Sequence, residues 1–301
     1  MVNLVAAQKP LLHGLMKFAG LRNITTEVEP GTKMNFWVPS ETIKKVDNKE
    51  EKQENKNPQR QKPVVVLVHG FAAEGIVTWQ FQVGALTKMY AVYVPDLLFF
   101  GESITDSSDR SPMFQAECLV KALGQLGIQK CILVGFSYGG MVAFKMAEKY
   151  PDLVQAMVIS GSILNMTDSI SKSNLEKLGY TSSTDLLLPT SVKGLKDLLS
   201  VAVHKKLWFP DCLHRDYLEV MFTNRKERSE LLEALIVSNR DVTIPSFSQL
   251  SGCYHRKLGD KATLESITKG GHLVHLERPC IYNRLLKKFL ASIEAEEATP
   301  Q

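Results

Sequence analysis

A chain of 301 residues, 44% apolar and 23% charged, is large enough for one α/β domain with an insertion or for two ordinary domains. Its dispersed formal charge of +4, with no RNA-binding motif, excludes nucleic acid as an expected partner. The five cysteines (Cys118, Cys131, Cys212, Cys253, Cys280) are odd in number and contain no CxxC pair, which argues against a disulfide framework or structural zinc and points to reduced thiols in the cytoplasm.

In chain order, Gln8, Lys9 and Pro10 interrupt any secretory apolar core. Leu11, Leu12, Leu15, Met16, Phe18 and Ala19 then make a helical apolar stripe, expected to dock on the chain's own domain rather than on a membrane surface. No window is long enough to span a bilayer, so no integral membrane segment is expected. Residues 24–39 read as a β-hairpin turning at Pro30-Gly31. The polar, mixed-charge stretch 41–62 cannot bury enough surface to fold and is expected to be a flexible loop.

Four continuous apolar runs follow: VVVLVHG, AVYVPD, KCILVGFS and VQAMVISGS. Such runs typify parallel strands covered on both faces. Helical patterns separate them. One starts with Ser111 as N-cap and Pro112 in the first turn and stops at Gly127; another, GGMVAFKMAEKYP, is closed by Pro151. The alternation predicts an α/β fold with a doubly wound, mostly parallel sheet. Residues 162–245 are helical in period with no strand-like run, and read as a helical cap inserted into a core of 1–161 and 246–301.

The chemistry centres on GFSYG, residues 135–139, which fits G-x-S-x-G between a buried strand and a small-residue helix. Such a turn projects Ser137 at a helix N-terminus, as a nucleophile requires. An acyl-transfer site also needs fixed donors for the oxyanion, and the backbone N–H groups of Tyr138 and of Phe71, after His69-Gly70, are placed to supply them. His69 reads as a support of that loop rather than a base. His272, in KGGHLVHLERP after the strand-like ATLESI, is the candidate general base, whereas His275 reads as packed. No metal or organic cofactor motif is present. Phe71, Trp208 and Phe209 are candidates for the wall of a small-molecule pocket.

Strand, H-G-x loop, G-x-S-x-G elbow, cap and G-H…E-x-P, in that order over residues 20–295, resemble the α/β-hydrolase superfamily. VPDLLFFGES resembles its D-x-x-G-x-G-x-S loop, with Glu102 where glycine is usual and Asp96 in a structural place. Within the superfamily the chain resembles plant proteins described as similar to 2-hydroxy-6-oxo-hexadienoate (meta-cleavage product) hydrolases. The resemblance implies a carboxylate supporting the histidine, on a G-x-x-D turn after a buried strand. No four-residue apolar run precedes ATLESI, so one strand–helix unit and its acid are expected to be missing, as in a splice or gene-model variant. Asp260 lies at the far end of the expected strand, Asp241 has no strand to position it, and Asp168 is the alternative acid or a helix-capping residue. The expectation is a serine hydrolase of an ester or of a ketone C–C bond, with activity reduced by the missing acid. The alternative is a non-catalytic binder or receptor of the same fold.

Overall fold

The computed structural model describes residues 3–47, 62–206, 208–240, 251–252 and 262–298. Helix α1 (Leu4–Phe18) starts at Asn3, whose side-chain oxygen accepts the Ala6 N–H at 2.8 Å. The hairpin β1 (Leu21–Glu29) and β2 (Thr32–Pro39) follows, turning at Pro30-Gly31 as the sequence implies. Helix α2 (Ser40–Asp47) then corrects the flexible-loop expectation over its first residues. It is anchored at both faces of its start: the Ser40 amide and hydroxyl donate to the Gly20 carbonyl, and the buried Thr42 hydroxyl bonds the Tyr93 hydroxyl at 2.9 Å. The rest of that stretch, 48–61, lies outside the described residues.

The four apolar runs form β3 (Val64–Val68), β4 (Ala91–Pro95), β6 (Cys131–Phe136) and β7 (Val154–Ser160), with a short β5 (Ile104–Thr105) pairing β2. Between them run α3 (Gly75–Thr78), α4 (Gln80–Leu86), α5 (Pro112–Gln125) and α6 (Tyr138–Lys149). The sheet order is β1-β2-β4-β3-β6-β7-β10, where β10 is Ser251–Gly252. Every pair from β4 to β10 is parallel, and the β1–β2 and β2–β4 pairs are antiparallel. Alternate strand residues serve two cores. Val66, Val68 and Leu133 pack with α5 and α6, while Val65, Leu67, Ile132 and Val134 pack with α1, α4 and the last helix. Burial on both faces is why these strands read as unbroken apolar runs.

From β7 the chain enters β8 (Met166–Thr167), helices α7 (Asp168–Leu178), α8 (Ser183–Leu187), α9 (Val192–Ala202), α10 (Asp211–Met221) and α11 (Arg225–Ala234), and then β9 (Ile236–Val237). β8 and β9 pair in parallel, which corrects the strand-free expectation for this stretch; two-residue strands carry no readable period. Buried Arg228 joins these helices to the loop after β4, its Nε donating to the Phe99 carbonyl at 3.0 Å and its guanidinium lying 4.2 Å above the Phe100 ring.

The last part of the sheet differs from expectation. ATLESI is not a strand beyond an isolated bridge at Ala262. The strand beside β7 is instead β10, pairing Ser251 with Ala156 and Gly252 with Met157. A backbone ladder this short needs no apolar run, so hydropathy gave no sign of it. Among the described residues no helix separates β10 from α12 (Val274–Glu277), and α13 (Pro279–Ala298) closes the chain against the sheet.

Candidate active site

The turn from β6 to α6 sets Ser137 at φ 51° and ψ −120°, a conformation L-residues rarely adopt. Its amide donates to the Ser160 carbonyl at 3.0 Å, tying the turn to the end of β7. Gly139 is compulsory: a Cβ there would stand 2.3 Å from the His69 carbonyl oxygen and 2.4 Å from that of Val68. The elbow therefore presses α6 onto the β3 loop that carries Phe71. Neither the Phe71 nor the Tyr138 amide has a hydrogen-bond acceptor among the described residues, and both residues face the same cavity as Ser137.

His69 stiffens that loop. Its Nε2 accepts the Leu97 N–H at 2.9 Å, so the proton sits on Nδ1 and is donated to the Gly70 carbonyl at 2.7 Å. Burial holds the ring neutral, with a pKa lowered to about 4. Asp96 is also structural. It is buried, accepts the Gly75 amide (2.8 Å) and Asn35 Nδ2 (2.9 Å), and is pushed up to about 7 by desolvation and by the charge of Glu74.

His272 lines the same cavity as Ser137, its ring 4.9 Å from that of Phe136. Beneath it lies Gly161 (φ 58°), where a Cβ would stand 2.9 Å from His272 Nδ1 and Cε1. The residue keeps surface exposed to solvent, and partial desolvation lowers its pKa below the ordinary value. Glu277 holds its loop, one carboxylate oxygen accepting the Gly271 amide at 2.6 Å and the other the amides of His204 (2.7 Å) and Lys205 (3.2 Å). His275 is fully buried among Phe136, Trp79 and Tyr282, as the sequence implies, and burial lowers its pKa to about 3.

No carboxylate bonds the His272 ring among the described residues. Asp168 is exposed in the first turn of α7, where Thr167 caps the Ile170 amide at 3.3 Å, so it takes the helix-start role. Asp241 and Asp260 lie outside the described residues. The cavity is about 1460 Å³ and largely apolar, with Phe71, Met141, Ile159, Leu187, Leu232 and Leu235 among its walls, and it extends along α13. Trp208 and Phe209 are not among those walls but exposed, which corrects their assignment to the pocket. Two contributors were missed in the sequence. Gly161 had a signal in the ISGS that ends β7; for Glu277 only the E-x-P spacing marked the position.

A mostly parallel sheet in this order, with a serine elbow after the inner strand β6 and a large cavity lined by that elbow, is the α/β-hydrolase fold. Residues 63–191 match the family model described as alpha/beta hydrolase fold. Among curated proteins, human Epoxide hydrolase 4 is 33% identical over 105 residues, which is 34% of this chain, and the chain spans 28% of that protein's length. Pyrrolizixenacetamide deacetylase of Xenorhabdus hominickii is 26% identical over 249 residues, covering 76% of this chain and 91% of that protein. A putative lipase structure from Acinetobacter baumannii AYE superposes with a TM-score of 0.70 at 18% identity, over 96% of this chain and 97% of that one. A meta-cleavage product hydrolase of Pseudomonas fluorescens IP01 does so at 0.62 and 19%, over 91% and 99%. These four relatives and neighbours carry the names of hydrolases, and the structural pairs establish the likeness of fold.

Proposed function

We propose that the chain is a serine hydrolase acting on an ester, or on a ketone at a C–C bond, of a small carbonyl substrate held beneath the 162–245 helices as a cap. The observation that carries this is Ser137 in its elbow facing one cavity with His272 and the unpaired amides of Phe71 and Tyr138. Ser137 Oγ attacks the carbonyl carbon while His272 takes its proton, and the two amides hold the resulting oxyanion. His272 returns that proton to the leaving group. Water, activated by the same ring, then attacks the acyl carbon and frees Ser137.

Reduced activity is part of the proposal. In a serine protease, replacing the supporting Asp by Asn costs about 10⁴ in kcat, with residual catalysis from oxyanion donors and binding. Epoxide opening by a carboxylate nucleophile is disfavoured, since position 137 holds a hydroxyl. The four described cysteines are free thiols, which supports a cytoplasmic setting. A receptor that binds without turnover is the second reading, favoured by the lack of a described carboxylate on His272. Hydrolysis of p-nitrophenyl butyrate separates them. The hydrolase reading expects kcat/KM at background in Ser137→Ala and lowered about 10²–10⁴-fold in His272→Ala. A wild-type rate that both variants retain overturns it.

A further inference from the structure

Helix α1 has two apolar faces, and the fold uses only one. Leu12 and Met16 are buried in the core with Trp37 and Trp79, as the docking expectation requires. Leu4, Leu11, Leu15 and Phe18, spaced seven, four and three residues apart, fall within roughly 60° of arc on a helix turning 3.6 residues per turn. All four are exposed, Leu11 at 74% and Phe18 at 92%. Single exposed leucines are ordinary, but four on one stripe form a patch of the kind that marks a docking surface.

The charges at the C-terminal end of this stripe are basic, while its N-terminal end meets acids. The α1 sequence LVAAQKPLLHGLMKF contains no acid, and Lys17 in its last turn and Arg22 just beyond are exposed. Neither has a carboxylate partner among the described residues. The carboxylates bonded to α1 lie away from that end: Asp216 accepts the Leu4 amide and Glu219 accepts Asn3 Nδ2, both keeping their charge, and Glu74 and Glu102 share Lys9.

A second feature of the same chemistry lies on the neighbouring element. Through those bonds to Asp216 and Glu219, α1 packs on α10, and the segment leading into α10 exposes Lys205, Lys206, Trp208 (86%) and Phe209. Basic and aromatic side chains together are those that settle at lipid headgroups, with rings at the acyl boundary and amines at the phosphates. This segment leaves directly from the rim of the cavity, because the His204 and Lys205 amides share Glu277 with the amide of Gly271.

We propose that the Leu4–Leu11–Leu15–Phe18 stripe of α1 and the Lys205, Lys206, Trp208 and Phe209 segment dock this protein on an anionic phospholipid surface. The binding is peripheral: among the described residues no helix is long and apolar enough to cross a membrane. Apolar burial supplies the insertion and Lys17, Arg22, Lys205 and Lys206, with no carboxylate partner among the described residues, supply the attraction, as for amphipathic helices lying in a bilayer interface.

The test is flotation with vesicles of phosphatidylcholine alone and of phosphatidylcholine mixed with phosphatidylserine. Expected is partition onto the mixed vesicles only, weakened by salt, with a blue shift of tryptophan emission that Trp208→Ala removes. Leu11→Ser/Phe18→Ser and Trp208→Ala each lower the partition coefficient about tenfold or more, with unchanged circular dichroism melts. Ser137→Ala floats like wild type, so docking and hydrolysis are judged apart. Absence of flotation, flotation equal on both vesicle types, or flotation insensitive to both variants overturns the proposal. So does a dimer in lipid-free sedimentation that Leu11→Ser/Phe18→Ser dissolves while vesicle binding stays absent.

Discussion

Ser137 holds a backbone conformation that costs of order 1–3 kcal/mol, and the bond from its amide to Ser160 helps maintain it. The same rigidity fixes the Phe71 and Tyr138 amides before any substrate arrives. Phe71→Pro removes one of those donors and is expected to lower kcat about 10²–10³-fold; Phe71→Ala, which keeps the N–H, isolates the loss of the ring. Equal kcat in the two variants would sink the oxyanion role. His275 gives a pH prediction. Its folded pKa, about 3, lies below the unfolded value of about 6.5, so the unfolded chain binds more protons between them. The resulting stability is complete above about pH 6.5 and drains as pH falls towards 3. Asp96, raised to about 7, titrates with the opposite sign, so a comparison of variants is required. Between pH 7 and pH 4, His275→Phe is expected to lose about 3 kcal/mol less stability in urea than wild type does. Identical losses would show that His275 is not held neutral.

Two elements position the chemistry, the β6–α6 elbow and the loop ahead of α12. Gly139→Ala drives a Cβ into two backbone carbonyls that cannot yield, and is expected to cost about 3 kcal/mol or more, read as a drop in thermal midpoint. A melt within a degree or two of wild type would contradict that packing. Glu277→Ala frees the amides of Gly271, His204 and Lys205; because these hold the loop rather than the substrate, kcat should fall more than KM rises, and a pure KM effect would place Glu277 differently. The elbow and the four parallel strands were legible because continuous apolar burial and glycine spacing write themselves into the sequence. β10 was not, since two residues bound by backbone bonds have no hydropathy signature, and ATLESI misled because β-branched composition without a partner strand does not make a ladder. α1 was legible by half: periodicity located the helix, but the apolar residues fall on two faces of which only one meets the core.

At the scale of the molecule, a two-faced sheet supports a serine, a histidine and two free amides around one large apolar cavity, with no described carboxylate on the histidine. The fold was readable from strand–helix alternation. The expected loss of the acid rests on a missing strand–helix unit, and the residues on either side of β10, Asp241 and Asp260 among them, lie outside the described set. The central claim is that Ser137 is a nucleophile activated by His272. Intact-mass measurement after treatment with a fluorophosphonate tests it most directly. The account predicts a single adduct on wild type, none on Ser137→Ala, and markedly slower labelling of His272→Ala. Wild type left unlabelled, or Ser137→Ala labelled as fast as wild type, would contradict it.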